Sequence, residues 1–142
     1  MLDIYYASGW FTKEQRANYR MIVPLLQEKY VLFEPMLKAG EAAPNEELTL
    51  EKAGSILKAD IDGIHRCQML FADISFRDTG VLVEIGAAIE RGMPIILFDN
   101  SSRPRMNCML AGCATACLRN KEDIENWLDG KEVFNLGESK LQ

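Results

Sequence analysis

The sequence has only one histidine, His65, and four cysteines whose spacing does not suit a zinc site. Cys108, Cys113 and Cys117 fall in the last third of the chain, and Cys67 lies two residues after His65. None of these spacings matches the paired C-x-x-C pattern of a structural zinc site, so we predict no metal. We expect buried, reduced thiols, which are typical of a cytoplasmic protein.

Long apolar runs and an excess of positive charge are also missing. No run approaches the ~20 residues of a membrane span, and the opening "MLDIYYASGW" places Asp3 inside its early apolar run. We therefore predict neither a signal peptide nor a membrane anchor. With 21 acidic and 16 basic residues the net charge is -5, which disfavours nucleic acid and anionic membranes as partners.

The glycine-rich dinucleotide fingerprint G-x-G-x-x-G is absent as well. The first predicted strand leads into "SGWF", which holds a single glycine, Gly9. A nicotinamide or flavin dinucleotide is therefore not expected. The same loop offers Trp10 and Phe11 after two small residues. The two rings either form a slot for a flat ligand or attach the start of the first helix to the core.

What the sequence does contain is an alternation of short apolar runs with longer segments of helical period. This alternation is typical of repeated βα units and a parallel sheet. We predict a single α/β domain over residues 1–142, a flavodoxin-like three-layer sandwich with strand order 2-1-3-4-5 and helices on both faces. The predicted strands are 2–7, 31–35, 68–74, 94–99 and 115–118.

The predicted helices follow from their start signals and periodicity. "TKEQ" offers Thr12 as N-cap and Gln15 at capping-box spacing, and the helix should reach about Lys29, although Pro24 should bend or break it. Four more helices are predicted at 49–66, 80–92, 104–112 and 120–129. Residues 34–48 have no period and predict a long binding loop or lid. The tail "KEVFNLGESKLQ" begins as a short strand or lies across another subunit.

The helix predicted after the third strand carries acidic residues near the edge where ligands bind in such sheets. Asp78 is a natural N-cap. Helical phasing places Glu84 at the flank of the apolar arc, beside small residues that leave room for a ligand, and Glu90 opposite that arc. Taken alone, Glu84 is either a solvated boundary residue or a carboxylate placed for chemistry. In "KADIDGI", at most one of Asp60 and Asp62 can face the cleft.

Four segments in order, "YYASGWFTKEQ", "DIDGI", "DTGVLVEIGAAIERG" and "RPRMN", resemble the nucleoside 2-deoxyribosyltransferase family. Members of that family exchange the base of a 2′-deoxyribonucleoside with a flavodoxin-like fold, a glutamate nucleophile and no cofactor. The resemblance implies that Glu84 attacks C1′ of the sugar. It implies further that Asp60 exchanges a proton with the base, that Asp78 binds the sugar or base side, and that Tyr5 or Tyr6 orients Glu84.

The resemblance also implies a substrate-binding loop and an assembly. Gly9, Trp10 and Phe11 would hold the base, and Asn107 would reach the sugar 5′-hydroxyl of a neighbouring subunit. The implied partners are deoxynucleosides and free bases, and the implied assembly is a homo-oligomer, a dimer or a hexamer.

Two features depart from the family pattern. The chain ends "GESKLQ", without the aromatic or carboxylate-bearing tail common in the family, and "SSRPR" before Asn107 offers hydroxyls and two arginines that suit a phosphate. An alternative function is therefore an N-glycoside hydrolase of a nucleoside or its 5′-monophosphate. A non-catalytic nucleotide-binding module is a third, because the fold hosts many functions.

Overall fold

A five-stranded parallel sheet forms the centre of the computed structural model, which describes residues 2–35 and 47–142. The strand order β2-β1-β3-β4-β6 confirms the predicted order 2-1-3-4-5, in which the fifth predicted strand is β6. Within the described residues the strands are β1 (Ile4–Ala7), β2 (Leu32–Phe33), β3 (Met69–Asp73), β4 (Ile95–Phe98), β5 (Arg105–Met106), β6 (Ala116–Leu118) and β7 (Lys140–Leu141).

Both faces of the sheet are covered by helices, which confirms the three-layer architecture. One face packs against α1 (Lys13–Gln27), and the other against α2 (Leu50–His65) and α3 (Thr79–Arg91). The short helix α4 (Cys108–Cys113) adds to the α2 and α3 side, and α5 (Lys121–Leu128) lies on the α1 side. The strands of the five-stranded sheet are mostly buried because both of their faces are covered.

The first helix begins as the sequence predicts. The Thr12 side chain accepts the backbone N–H of Gln15, and the Gln15 side chain accepts that of Thr12, which completes the capping box. The helix passes through Pro24 and ends at Gln27, so the predicted break did not occur. Pro24 is exposed, and so is Arg20, whose carbonyl loses its helical donor to the proline; water can therefore satisfy that carbonyl.

The tail of the chain pairs with earlier segments of the same chain. β7 pairs in parallel with β5, with Arg105 opposite Lys140, and Phe134 forms a bridge to Cys117. Because β5 occupies 105–106, α4 starts at Cys108 and not at the predicted 104. Two-residue strands show no periodicity, which is why the sequence did not predict this small second sheet.

Most of the loop predicted at 34–48 lies outside the described residues. Glu34 and Pro35 at its start are buried, and positions 47 and 48 at its end are exposed. Among the helices of the described residues, none has the length and apolar character needed to cross a membrane.

Candidate active site

The carboxyl ends of β1 and β3 form a crevice at the point where the strand order reverses. β1 leads into α1 and β3 leads into α3, and the two helices lie on opposite faces of the sheet. The loops 8–12 and 74–78 therefore diverge at this edge. A crevice of this kind is where open α/β sheets bind ligands.

Tyr5, Glu84 and Asp60 come together from β1, α3 and α2. The hydroxyl of the fully buried Tyr5 donates a short hydrogen bond to the carboxylate of Glu84, which lies half-buried in the second turn of α3. Burial, the charge of Glu84, this hydrogen bond and the charge of Asp60 together raise the pKa of Tyr5 well above its ordinary value. Tyr5 therefore remains a hydrogen-bond donor at any physiological pH.

The neighbouring acid Asp62 faces away from this cluster. It is exposed and forms an ion pair with Lys58 one turn earlier, and the hydrogen bond from Lys58 lowers the pKa of Asp62. Asp60 alone of this pair faces Tyr5, in agreement with the prediction that only one of them can face the cleft.

Asp78 and Gly9 meet at the mouth of the crevice. As expected for an N-cap, one carboxylate oxygen of Asp78 accepts the backbone N–H of Val81 at 3.2 Å. Its other oxygen lies 2.5 Å from the position that a Cβ on Gly9 would occupy, and the Gln15 amide nitrogen lies 2.2 Å from the same position. Any other residue at position 9 would collide with both groups.

The aromatic residues near this loop have different surroundings. The Trp10 ring packs edge-on against Tyr19, with 4.6 Å between centroids, so Trp10 attaches the loop to α1. The Phe11 side chain is 80% exposed, which excludes the same anchoring role for Phe11. Tyr6 packs against Phe71 and Tyr19, and this cluster lies on the face of the sheet opposite to the face that carries Glu84. Of the two tyrosines predicted to orient Glu84, Tyr5 donates a hydrogen bond to its carboxylate, whereas Tyr6 lies on the other face of the sheet.

Asn107 is exposed and caps α4. Its side-chain oxygen accepts the backbone N–H groups of Met109 and Leu110 at 2.9 and 3.3 Å. Asn107 and Asp78 line a groove of about 450 Å³ between α3 and the β5–α4 segment. Within the described part of the chain, Glu84, Asp60 and Tyr5 are not among the residues that line this groove.

The arginines of "SSRPR" have separate environments. The Arg103 guanidinium donates to the carbonyls of Ile74 and Ser75 at 2.8 and 3.0 Å and lies 3.3 Å from the Asp99 carboxylate. It holds the β5 segment against the ends of β3 and β4. Both arginines line the groove, but Arg105 is exposed, whereas the Arg103 guanidinium is engaged in these bonds.

Sequence reasoning missed a buried polar network beside the crevice. Asp73 at the end of β3 is 2% exposed and accepts from the Asn18 amide at 2.9 Å and the Ser75 backbone N–H at 3.0 Å. Burial raises the pKa of Asp73, although these hydrogen bonds oppose the rise. Asn100 also bonds to Asn18. The sequence signal that could have indicated this network is an acidic residue, Asp73, at the end of an apolar strand.

A second tyrosine–carboxylate pair was missed at the end of β2. The Tyr19 hydroxyl donates a short hydrogen bond to Glu34, which is only 9% exposed. Burial and this bond raise the pKa of Tyr19 to about 12. The pair connects α1 to the start of the predicted 34–48 loop.

The thiols match the expectation of buried cysteines only in part. Cys67 and Cys117 are buried, and burial raises the pKa of each to about 11. Cys108 is exposed, which contradicts the expectation for that residue. In residues 2–35 and 47–142, no three His, Cys, Asp or Glu side chains are grouped to hold a metal ion.

The fold and the site define a class of protein: a flavodoxin-like α/β protein with carboxylates and a buried tyrosine at the switch point of its sheet. More particularly, the chain belongs to the nucleoside 2-deoxyribosyltransferase family, whose model matches residues 4–128.

Two solved structures have the same fold. A 2-deoxyribosyltransferase from the psychrotolerant bacterium Bacillus psychrosaccharolyticus is 24% identical, with a TM-score of 0.77 over 94% of this chain and 99% of the other. A conserved protein from Enterococcus faecalis V583 is 19% identical, with a TM-score of 0.69 over 89% of this chain and 99% of the other. A comparison with curated protein sequences gave no match.

Proposed function

We propose that this protein exchanges the base of a 2′-deoxyribonucleoside through a covalent deoxyribosyl intermediate on Glu84. The observation that carries the proposal is the hydrogen bond from the buried Tyr5 hydroxyl to the Glu84 carboxylate, with Asp60 beside it. Membership of the nucleoside 2-deoxyribosyltransferase family supports the substrate class. The Tyr5 bond holds one carboxylate oxygen and leaves the carboxylate negative, as a nucleophile requires.

The first half-reaction forms one bond and breaks another at C1′. A Glu84 oxygen bonds to C1′, and the electron pair of the C1′–N bond moves to the departing base. The transition state resembles an oxocarbenium ion, which the adjacent carboxylates stabilise. Asp60 supplies the proton that the base takes up. A second base then attacks C1′, returns its N–H proton to Asp60 and releases Glu84, so that the protein is regenerated with no net redox change.

The remaining predicted residues have supporting roles in this proposal. Asp78 hydrogen-bonds the substrate at the mouth of the crevice, where its position beside Gly9 supports that role. Gly9, Trp10 and Phe11 form the wall against the base, and the exposed ring of Phe11 supports contact with a ligand.

We also propose that the protein works as a homo-oligomer in which Asn107 reaches a neighbouring site. In support, Asn107 is exposed and lines a groove whose described lining residues do not include Tyr5 or Glu84 of its own chain. The groove that it lines carries exposed apolar side chains, Leu82 at 43%, Ile89 at 50% and Met109 at 79%, which is typical of a surface that a second copy covers.

Base exchange can be tested with one deoxynucleoside, a different free base and chromatography of the product. The wild type should form the new nucleoside. Glu84→Gln, which keeps the shape but not the charge, should lower the rate by about 10³-fold or more. The matched control is Glu90→Gln on the same helix, which is exposed and should leave the rate unchanged.

Three outcomes would count against the proposal. Absence of any new nucleoside with all bases tried would exclude transfer. Equal rates for Glu84→Gln and the wild type would exclude Glu84 as the nucleophile. Substrate binding by the wild type without turnover would favour the non-catalytic binding module.

A second candidate function is hydrolysis of a nucleoside 5′-monophosphate. The observation that favours it is the exposure of Arg77 and Arg105 on the groove shared with Asp78 and Asn107. The left-handed backbone of Arg77, with φ of 54°, is an unusual conformation for a non-glycine residue and suggests a specific role for this turn. Release of base without an acceptor, faster for the monophosphate and slowed by Arg105→Ala, would support this function over transfer.

A further inference from the structure

Gln15 connects the loop after β1 to the N-terminus of α3. Its side-chain oxygen accepts the backbone N–H groups of Phe11 at 2.7 Å and Thr12 at 3.0 Å, which holds the turn of the loop. Its side-chain nitrogen points the other way, to the space above Gly9. The side chain is 4% exposed, so these contacts are made without competition from bulk water.

The Gln15 nitrogen and an Asp78 oxygen lie on the same side of Gly9. They lie 2.2 and 2.5 Å from the same point, the position of a Cβ on that glycine. The other Asp78 oxygen is held by the Val81 N–H. The oxygen beside Gln15 is therefore the one directed towards the crevice, and a neutral amide donor is the group placed next to it.

A capping box explains only half of this arrangement. It accounts for the Gln15 oxygen on the Thr12 N–H, and glutamate would serve that purpose equally well. It does not account for the second N–H, from Phe11, nor for the amide nitrogen beside Asp78. Glutamate at position 15 would bring a second negative charge against the Asp78 carboxylate.

We propose that Gln15 is a positioning residue for the reaction, which places a neutral amide nitrogen, and not a charge, near the Asp78 carboxylate while its amide oxygen holds the loop backbone at Phe11 and Thr12. This role rests on the proposed function, because Asp78 acts on the substrate only if the protein acts on nucleosides. It requires an amide at position 15, whereas helix capping alone requires only an acceptor.

Three variants separate the two requirements. Gln15→Glu keeps the acceptor oxygen and replaces the donor with a charge. Gln15→Ala removes both the acceptor oxygen and the amide donor. Thr12→Ala removes the hydroxyl that accepts the Gln15 backbone N–H at 3.1 Å and leaves the Gln15 side chain in place, so it weakens the same helix start without affecting Asp78.

Each variant is measured by thermal melting, by amide exchange at Phe11 and Thr12, and by kcat and KM for base exchange. Gln15→Glu should keep the amide protection and lose about tenfold to a hundredfold in kcat/KM. Gln15→Ala should lose both the amide protection at Phe11 and Thr12 and the activity measured as kcat/KM. Thr12→Ala should melt at a lower temperature with kcat/KM within about twofold of the wild type.

Wild-type kcat/KM in Gln15→Glu would overturn the proposal, and so would equal losses in Thr12→Ala and Gln15→Ala. If Gln15→Glu does not fold, the comparison of these last two variants decides alone. If the wild type exchanges no bases, the proposed function fails and the role in the reaction fails with it. The link between Gln15 and the loop is still tested by amide exchange, which requires no activity.

Discussion

Tyr5 and Tyr6 are adjacent residues of one strand, and their side chains have different surroundings. Successive side chains of a strand point to opposite faces, so Tyr5 lies below α2 and α3 and Tyr6 below α1. Both are fully buried, and burial raises the pKa of both. Only the Tyr5 hydroxyl meets Glu84, so the two phenols share a chemical type but not an environment.

Tyr19 gives a prediction for the pH dependence of stability. Its pKa is raised from 10.0 to about 12, chiefly by burial and by its hydrogen bond to Glu34. Because the folded state prefers the protonated phenol, this stabilisation is fully present below pH 10 and is lost as the pH rises towards 12. Tyrosine absorbance followed against pH should show one group that titrates near pH 12 and disappears in Tyr19→Phe.

Glu34→Gln is the matched variant for that titration. It keeps the size of the partner and removes its charge, so the Tyr19 titration should move towards the ordinary tyrosine value. An unchanged titration in Glu34→Gln would show that the pair does not form in solution.

At the scale of elements, α2 contains two glycines with opposite surroundings. Gly63 is buried, and a Cβ there would come within 2.5 Å of the Phe33 ring on β2. Gly54 is exposed, with nothing within 4 Å of such a Cβ. The first glycine allows α2 to approach the sheet closely, and the second contributes only backbone entropy to the unfolded state.

Alanine at these two positions should therefore act in opposite directions. Gly63→Ala should lower the free energy of unfolding by about 1–3 kcal/mol, because Phe33 must move. Gly54→Ala should raise it by about 0.5–1 kcal/mol through the better helix propensity of alanine. Urea unfolding measures both, and a stabilising Gly63→Ala would show that the contact between α2 and β2 is looser than described.

At the scale of the whole molecule, the proposed sharing of Asn107 predicts complementation between inactive variants. Glu84→Gln and Asn107→Asp should each be inactive alone, and aspartate retains the cap of α4. Mixed oligomers formed from equal amounts should regain about a quarter of wild-type activity, because half of the dimers contain one intact site of their two.

The control pair combines Glu84→Gln with Asp60→Asn. These two residues meet within one chain at Tyr5, so mixing them should restore nothing. Failure of the first pair to complement would place Asn107 in the site of its own chain or outside any site.

Much of the fold and part of the candidate site followed from local sequence signals. The alternation of apolar runs and helical periods predicted the sheet order, and "TKEQ" predicted the capping box of α1. Asp78 was predicted as an N-cap from its position before the helix. These features depend on residues a few positions apart, so the sequence contains the whole interaction.

The tertiary structure alone decided the features that join distant segments. It brought the Tyr5 hydroxyl to Glu84, directed Arg103 to the carbonyls of Ile74 and Ser75, and paired β7 with β5. It also brought Gln15 and Asp78 to the same side of Gly9. Each of these contacts joins residues far apart in the chain, and such a contact has no periodicity or spacing, because only the packed sheet and helices bring its partners together.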